Sequence, residues 1–250
     1  MLPNHAPLIV AEQFGTLASL YPHRIDLGLG RAPGTDQVTA MAIRGENFNA
    51  AHHFPKDVDR LQQLFSASNN RASVRAIPGE GTDVPIWILG SSTDSARLAA
   101  AKGLPYAFAS HFAPAYFEQA IAIYRNEFQP SEFLQSPYVM ACVNVVAADT
   151  NEEADFLSNS VKRMFLGVIT GKREKLKPPV QNINAIWDAM EKDAVEQMLY
   201  YSFIGSAASI KKNLDAFVTK YEVNEIMSTS HIYDQNAKLH SNKLFAGLFQ

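Results

Sequence analysis

Short apolar runs separated by amphipathic helical stretches are the strongest constraint on how this chain can fold. The runs lie at residues 25–29, 85–90, 106–110, 138–148 and 225–230, each with strand-like composition. Pro85-Ile86-Trp87-Ile88-Leu89-Gly90 hardly alternates, which suits a strand buried on both faces of a parallel sheet. Helical periodicity fills the intervals. It predicts helices over 8–20, with Ile9, Val10, Phe14, Leu17 and Leu20 as the apolar face, over 55–66 with Leu61, Leu64 and Phe65, and over 96–102, stopped by Gly103. Further helices are predicted over 115–127, 152–166, 185–202 and 208–220, followed by an amphipathic tail carrying Leu239, Leu244 and Leu248. Thr150-Asn151-Glu152-Glu153 reads as a capping box. Strands alternating with helices build right-handed βαβ units around a parallel sheet. About five strands are legible, whereas a closed (β/α)8 barrel needs eight. The count alone favours an open parallel α/β sheet.

At 250 residues, 47% of them hydrophobic and 19% charged, the chain is long enough for one α/β barrel or two small domains. A net charge of −3 argues against a broad basic field for nucleic acid or anionic membrane. Lys172, Arg173, Lys175 and Lys177 do cluster, but Glu174 interrupts them and Pro178-Pro179 follows, as in a solvated loop. The single cysteine, Cys142, excludes an intrachain disulfide, and its apolar surroundings suit a small buried hydrophobe. No run approaches the ~18 apolar residues of a membrane helix, and no signal peptide opens the chain, so the cytoplasm is the expected location.

The chemistry-bearing candidates cluster at strand ends. Arg24-Ile25-Asp26-Leu27-Gly28-Leu29-Gly30 stops in a turn, Arg31-Ala32-Pro33-Gly34, that places Arg31 at a carboxyl end, where α/β folds bind ligands. A structural arginine paired with a neighbouring helix is the competing reading. Gly90-Ser91-Ser92-Thr93-Asp94-Ser95 has the parts of a phosphate cradle: a glycine at the strand end, hydroxyl donors and the start of a helix. Ordinary helix capping explains the same residues equally well. Of seven histidines, His5, His111 and His231 fall at or beyond strand ends, but none recurs at metal-ligand spacing, and His52 and His53 are adjacent. Gly28-Leu29-Gly30-Arg31-Ala32-Pro33-Gly34 is one residue too long for a dinucleotide fingerprint.

Leu2-Pro3-Asn4-His5-Ala6-Pro7-Leu8, Ala11-Glu12-Gln13 and the 24–36 stretch together resemble the bacterial luciferase-like monooxygenases. Trp87-Ile88-Leu89-Gly90-Ser91-Ser92, Ala99-Ala100, Gly103-Leu104-Pro105 and Ser230-His231-Ile232-Tyr233-Asp234 extend the resemblance over essentially the whole chain. It implies a (β/α)8 TIM-barrel fold binding FMN at the carboxyl ends of its strands, with reduced FMN as co-substrate delivered by a separate flavin reductase. Reduced flavin and oxygen then oxidise a small organic substrate. By this likeness Arg31 contacts the flavin phosphate, and Gly90, Ser91, Ser92 and Ser95 complete its pocket. A deazaflavin is the alternative cofactor. The excursion over 36–54 becomes either a lid or a mobile surface loop.

The resemblance also makes the strand count informative. In that family the Leu-Pro stretch follows the third barrel strand, so the expectation is a single luciferase-like domain over 1–250, amino-terminally truncated, with about five of eight strands. The family's active-site histidine, its non-proline cis peptide and much of its dimer interface belong to the preceding elements. A flavin-dependent monooxygenase is therefore the first expectation, with a homodimer as its assembly. A non-catalytic flavin binder akin to the non-fluorescent flavoprotein and an inactive fragment are the alternatives.

Overall fold

A computed structural model describes residues 1–32, 34–45 and 50–249; Pro33 and residues 46–49 of the expected excursion lie outside them. The chain divides into two compact units, Met1–Ala107 with Ala120–Tyr138, and Phe108–Gln119 with Val139–Gln250.

The first unit contains α1 (Pro7–Leu20), β1 (Leu27–Gly30), α2 (Gln37–Arg44), α3 (Ala50–Phe65), β2 (Ile86–Gly90) and α4 (Thr93–Lys102). The residues of β3 (Tyr106–Phe108) and α5 (Phe117–Glu127) are divided between the units. β1 and β2 pair in parallel, from Leu27 opposite Ile86 to Gly30 opposite Leu89, so both strands end at the same level. Burial of Leu27, Leu29, Ile86 and Ile88 drives this pairing, and α4 seals it through Ala96, Ala99 and Ala100. α3 buries Val58, Leu61, Leu64 and Phe65, the expected apolar face.

α1 departs from its expected face. Val10, Ala11 and Gly15 are buried, whereas Ile9, Leu17 and Leu20 are exposed. The reason is a close backbone approach: a Cβ on Gly15 would lie 2.1 Å from the Gly79 Cα, so small residues face the turn around Gly79. The 36–54 excursion also differs from a loop. It holds α2, capped by Asp36, whose side chain accepts from the Thr39 N–H, and it holds the opening turns of α3, which starts before Pro55.

The second unit is organised on β4 (Val139–Ala148). Its first half pairs in parallel with β6 (Glu225–Thr229), and its second half with β5 (Ser202–Ser206). β5 departs from the expectation: the stretch is too short and too polar to read as a strand, and only Ser202 of it falls at the end of the helix expected over 185–202. That helix is instead α7 (Ala189–Met198), begun by a true capping box between Asp188 and Glu191. α6 (Asn151–Ile169) has half of the expected box: the Thr150 side chain accepts from the Glu153 N–H. α8 (Ala207–Tyr221) and α9 (Gln235–Ala246) complete the unit. Its core gathers Val146 and Ala148 of β4, Ala154, Val161 and Phe165 of α6, Val195 of α7, and Ile232.

The described residues thus form six strands, and every strand register within the units is parallel. This is the expected α/β class, with fewer strands than a closed (β/α)8 barrel. No helix among the described residues is long and apolar enough to cross a membrane.

Candidate functional site

In the first unit the coterminal ends of β1 and β2 set the geometry. Arg31 follows directly on β1, while Gly90, Ser91 and Ser92 lead from β2 into α4. Ser92 occupies the N-cap position in extended conformation, yet its side chain makes no capping bond. The opening N–H groups of α4 are therefore left without a side-chain cap, which is the condition for binding an anion at a helix start. The Ser91 and Ser92 side chains make no hydrogen bond among the described residues.

Arg31 reaches the same helix turn. Its Nη2 lies 3.4 Å from Asp94 Oδ2, with the two side chains 51% and 64% exposed. A pair so exposed is worth at most about 1 kcal/mol, so a stronger anion can take the guanidinium. Asp94 itself opposes an anion there. Ser95 is committed differently: its Oγ donates to the Ser92 carbonyl at 2.7 Å and lies 2.9 Å from the Tyr106 hydroxyl, which itself donates to the Ser92 carbonyl. Burial pushes the Tyr106 hydroxyl pKa upward, so this brace stays uncharged. Gly90 is required by the same packing, because a Cβ there would sit 1.9 Å from Ser95 Oγ. Arg31, Gly90, Ser91 and Ser92 thus converge on one helix start, and Ser95 holds the turn that presents it.

The histidines sort by burial. His5 and His53 border a surface cleft with Asp57 and Arg44, and His52 is exposed on α3. In the second unit His111 and His231 are drawn together: burial, and then the nearby charge of His231, bring the His111 pKa down to about 4. Asn144 of β4 donates through Nδ2 to the His111 carbonyl at 2.6 Å, and Thr229 at the end of β6 donates to Asn144 Oδ1 at 3.0 Å. Asn144 and Thr229 carry no sequence signal of their own; only the β4–β6 register, which sets them opposite each other, reveals them.

Cys142 is half-buried, and burial pushes its thiol to about 11, so it stays protonated. Lys177 pairs with Glu174 on the solvent-facing loop. Among the described residues no three His, Cys, Asp or Glu side chains are gathered to hold a metal ion.

Comparison with known proteins gives this geometry a context. The profile of the family described as luciferase-like monooxygenase matches residues 1–221. A luciferase-like monooxygenase of Escherichia coli K12 is 47% identical over 98% of this chain and 73% of its own length. YvbT of Bacillus subtilis 168, an uncharacterized protein, is 48% identical over the whole chain and 74% of its own length. Among solved structures, apo-MsnO8 superposes with a TM-score of 0.89 at 28% identity, covering 100% of this chain and 75% of MsnO8. At fold level only, the oxygenating constituent of 3,6-diketocamphane monooxygenase from Pseudomonas putida, in complex with FMN, gives a TM-score of 0.66 at 17% identity, covering 97% of this chain and 75% of its own. An F420-dependent secondary alcohol dehydrogenase gives 0.65 at 13%, covering 98% and 76%.

Proposed function

Because the chain belongs to the luciferase-like monooxygenase family, we propose that it is a flavin-dependent monooxygenase using reduced FMN and molecular oxygen to oxidise a small organic substrate. The observation that carries the cofactor half of this reading is the uncapped start of α4 facing Arg31. A dianionic phosphate fits what these residues offer: helix N–H donors, two hydroxyls and a guanidinium able to leave a weak surface pair. Arg31 would supply charge, Ser91 and Ser92 hydroxyl donors, and Gly90 the room for the turn. Ser95, whose donor is already used, would position that turn. The bound flavin would supply the redox chemistry, leaving the protein to orient it and keep water away.

The reading includes a separate reductase as the source of reduced FMN and a cytoplasmic setting. It also includes a homodimer, for which the exposed Ile9, Leu17 and Leu20 on α1 offer apolar surface.

The test is an anaerobic titration of the purified chain with FMN, reduced FMN and a deazaflavin, repeated on Arg31→Ala. Loss of a charge-assisted hydrogen bond should cost about 1.5–3 kcal/mol, a roughly 10- to 150-fold weaker affinity. Unchanged affinity would remove Arg31 from the phosphate site, and tighter binding of the deazaflavin would replace FMN as the cofactor. Tight flavin binding without oxygen-dependent turnover would leave a flavin-binding protein in place of the oxygenase.

A further inference from the structure

The second unit contains polar groups that the flavin cradle does not use. Between the end of β6 and α9 lies a cleft of about 490 Å3 lined by Ser228, Thr229, Ser230, His231, Lys238 and Asn242. Each of these side chains carries a donor, Thr229 spending its own on Asn144 Oδ1, and no carboxylate is among the described residues that line the cleft. Phe245 and Ala246 give it an apolar wall. Two buried atoms at this end of the unit, Ser230 Oγ and His111 Nδ1, have no hydrogen-bond partner among the described residues. Buried polar atoms left in that state need an explanation, and a missing ligand is one.

Side-chain hydrogen bonds hold this arrangement. Asn144 fixes the His111 carbonyl, Thr229 fixes Asn144, and Ser110 Oγ donates to the Cys142 carbonyl at 2.6 Å, so the segment after β3 is tied to β4 and β4 to β6. His231 stands between the two features, lining the cleft and lying close enough to His111 to disfavour its charge. Lys238 of α9 faces His231 in turn.

We propose that this cleft binds the carboxylate of a small organic acid, with Lys238 and His231 as its cationic contacts and His111 reinforcing them. A lining rich in donors, with the Lys238 ammonium and the His231 imidazole in it and the His111 imidazole close to His231, matches a single negative charge, and the Phe245 side matches an apolar body. His231 and His111 are both held below the usual imidazole range, by burial first and then by a neighbouring cation, so they wait neutral and can gain a proton when an anion arrives. The inference stands on this unit alone; under the oxygenase reading, the bound acid is the substrate.

Calorimetric titration of the flavin-free full chain with benzoate, its uncharged analogue benzamide and inorganic phosphate tests it directly. Benzoate should bind saturably and at least about tenfold more tightly than benzamide, with proton uptake revealed by two buffers of different ionisation heat. Lys238→Met and His231→Gln should each weaken benzoate by about tenfold, and Lys238, on an outer helix, keeps the test valid should His231→Gln unfold. Arg31→Ala should leave benzoate binding unchanged, which separates this site from the flavin cradle. Equal binding of benzoate and benzamide, indifference to both substitutions, or a preference for phosphate that depends on His231 and Lys238 would each overturn the proposal.

Discussion

Gly90→Ala probes the brace beneath the proposed phosphate site. A Cβ at position 90 would lie 1.9 Å from Ser95 Oγ and 2.3 Å from Ser95 Cβ. Rotating the serine could move Oγ, but Cβ is fixed by the first turn of α4, so the helix start itself must shift. Carbon atoms pack comfortably at roughly 3.5–4.0 Å, so the displacement needed is above about 1 Å. Overpacking of this kind costs about 1–3 kcal/mol, and breaking the Ser95 to Ser92 hydrogen bond adds about 1 kcal/mol. A loss of about 2 kcal/mol should lower Tm by roughly 4–8 °C for a chain of this size. FMN affinity should fall as well, because the displaced turn carries the N–H donors. Ser95→Gly removes both clashing atoms, so the double variant should be more stable than the two single losses predict, by about 1 kcal/mol or more. Thermal and urea unfolding of the four proteins, with flavin titration of each, completes the cycle. A Gly90→Ala protein with unchanged Tm and unchanged flavin affinity would refute the packing argument, and strict additivity would show that Ser95 is not the obstacle.

Other consequences can be measured independently. Asp94→Asn removes the carboxylate that opposes a phosphate beside Arg31, so FMN affinity should rise a few-fold; a fall would mean that Asp94 holds Arg31 in place. His111 has a folded pKa of about 4 against an ordinary 6.5, so the unfolded chain takes up the proton first. Stability should therefore fall as pH drops from about 6.5 toward 4, by at most about 3 kcal/mol from this group, and urea unfolding of His111→Gln should show a flatter pH profile. Asp188→Ala removes the side-chain acceptor of the Glu191 N–H in the α7 capping box, leaving the bond from the residue 188 N–H to Glu191 in place, and should cost about 1 kcal/mol, read from the urea midpoint. Cys142, with its thiol pushed to about 11, should react with a disulfide reagent at pH 8 at least about 100-fold more slowly in the folded protein than in urea.

The parts of this molecule that could be read from its sequence are those set by neighbouring residues. Arg31 after Gly30, and Ser91-Ser92 between Gly90 and a helix, belong to single strand-to-helix turns, and the structure places both at the ends of paired strands. Strand β5 and the buried face of α1 depend instead on distant partners. β5 exists because Ser202 to Ser206 pair with Asn144 to Ala148, a contact 58 positions away for its first residues, and Ser-Phe-Ile-Gly-Ser has too little apolar character to announce itself. Periodicity points to the large apolar residues of α1 as its buried face, but the helix packs through Ala11 and Gly15, where small size is the fitting property and hydrophobic periodicity gives no sign of it. His111, Asn144 and Thr229 meet across separations of 33 and 85 positions. Each half of the proposed cofactor cradle is therefore local, the two being joined by the pairing of β1 with β2, and the proposed carboxylate cleft is tertiary. Resemblance between sequences can carry a strand-end turn from one relative to another intact, whereas a cleft lined by the end of β6 and the face of α9 changes its chemistry with a single substitution at Lys238 or His231. Among relatives that keep the residues equivalent to Arg31 and Ser91, differences at those two positions are where a change of substrate should be sought.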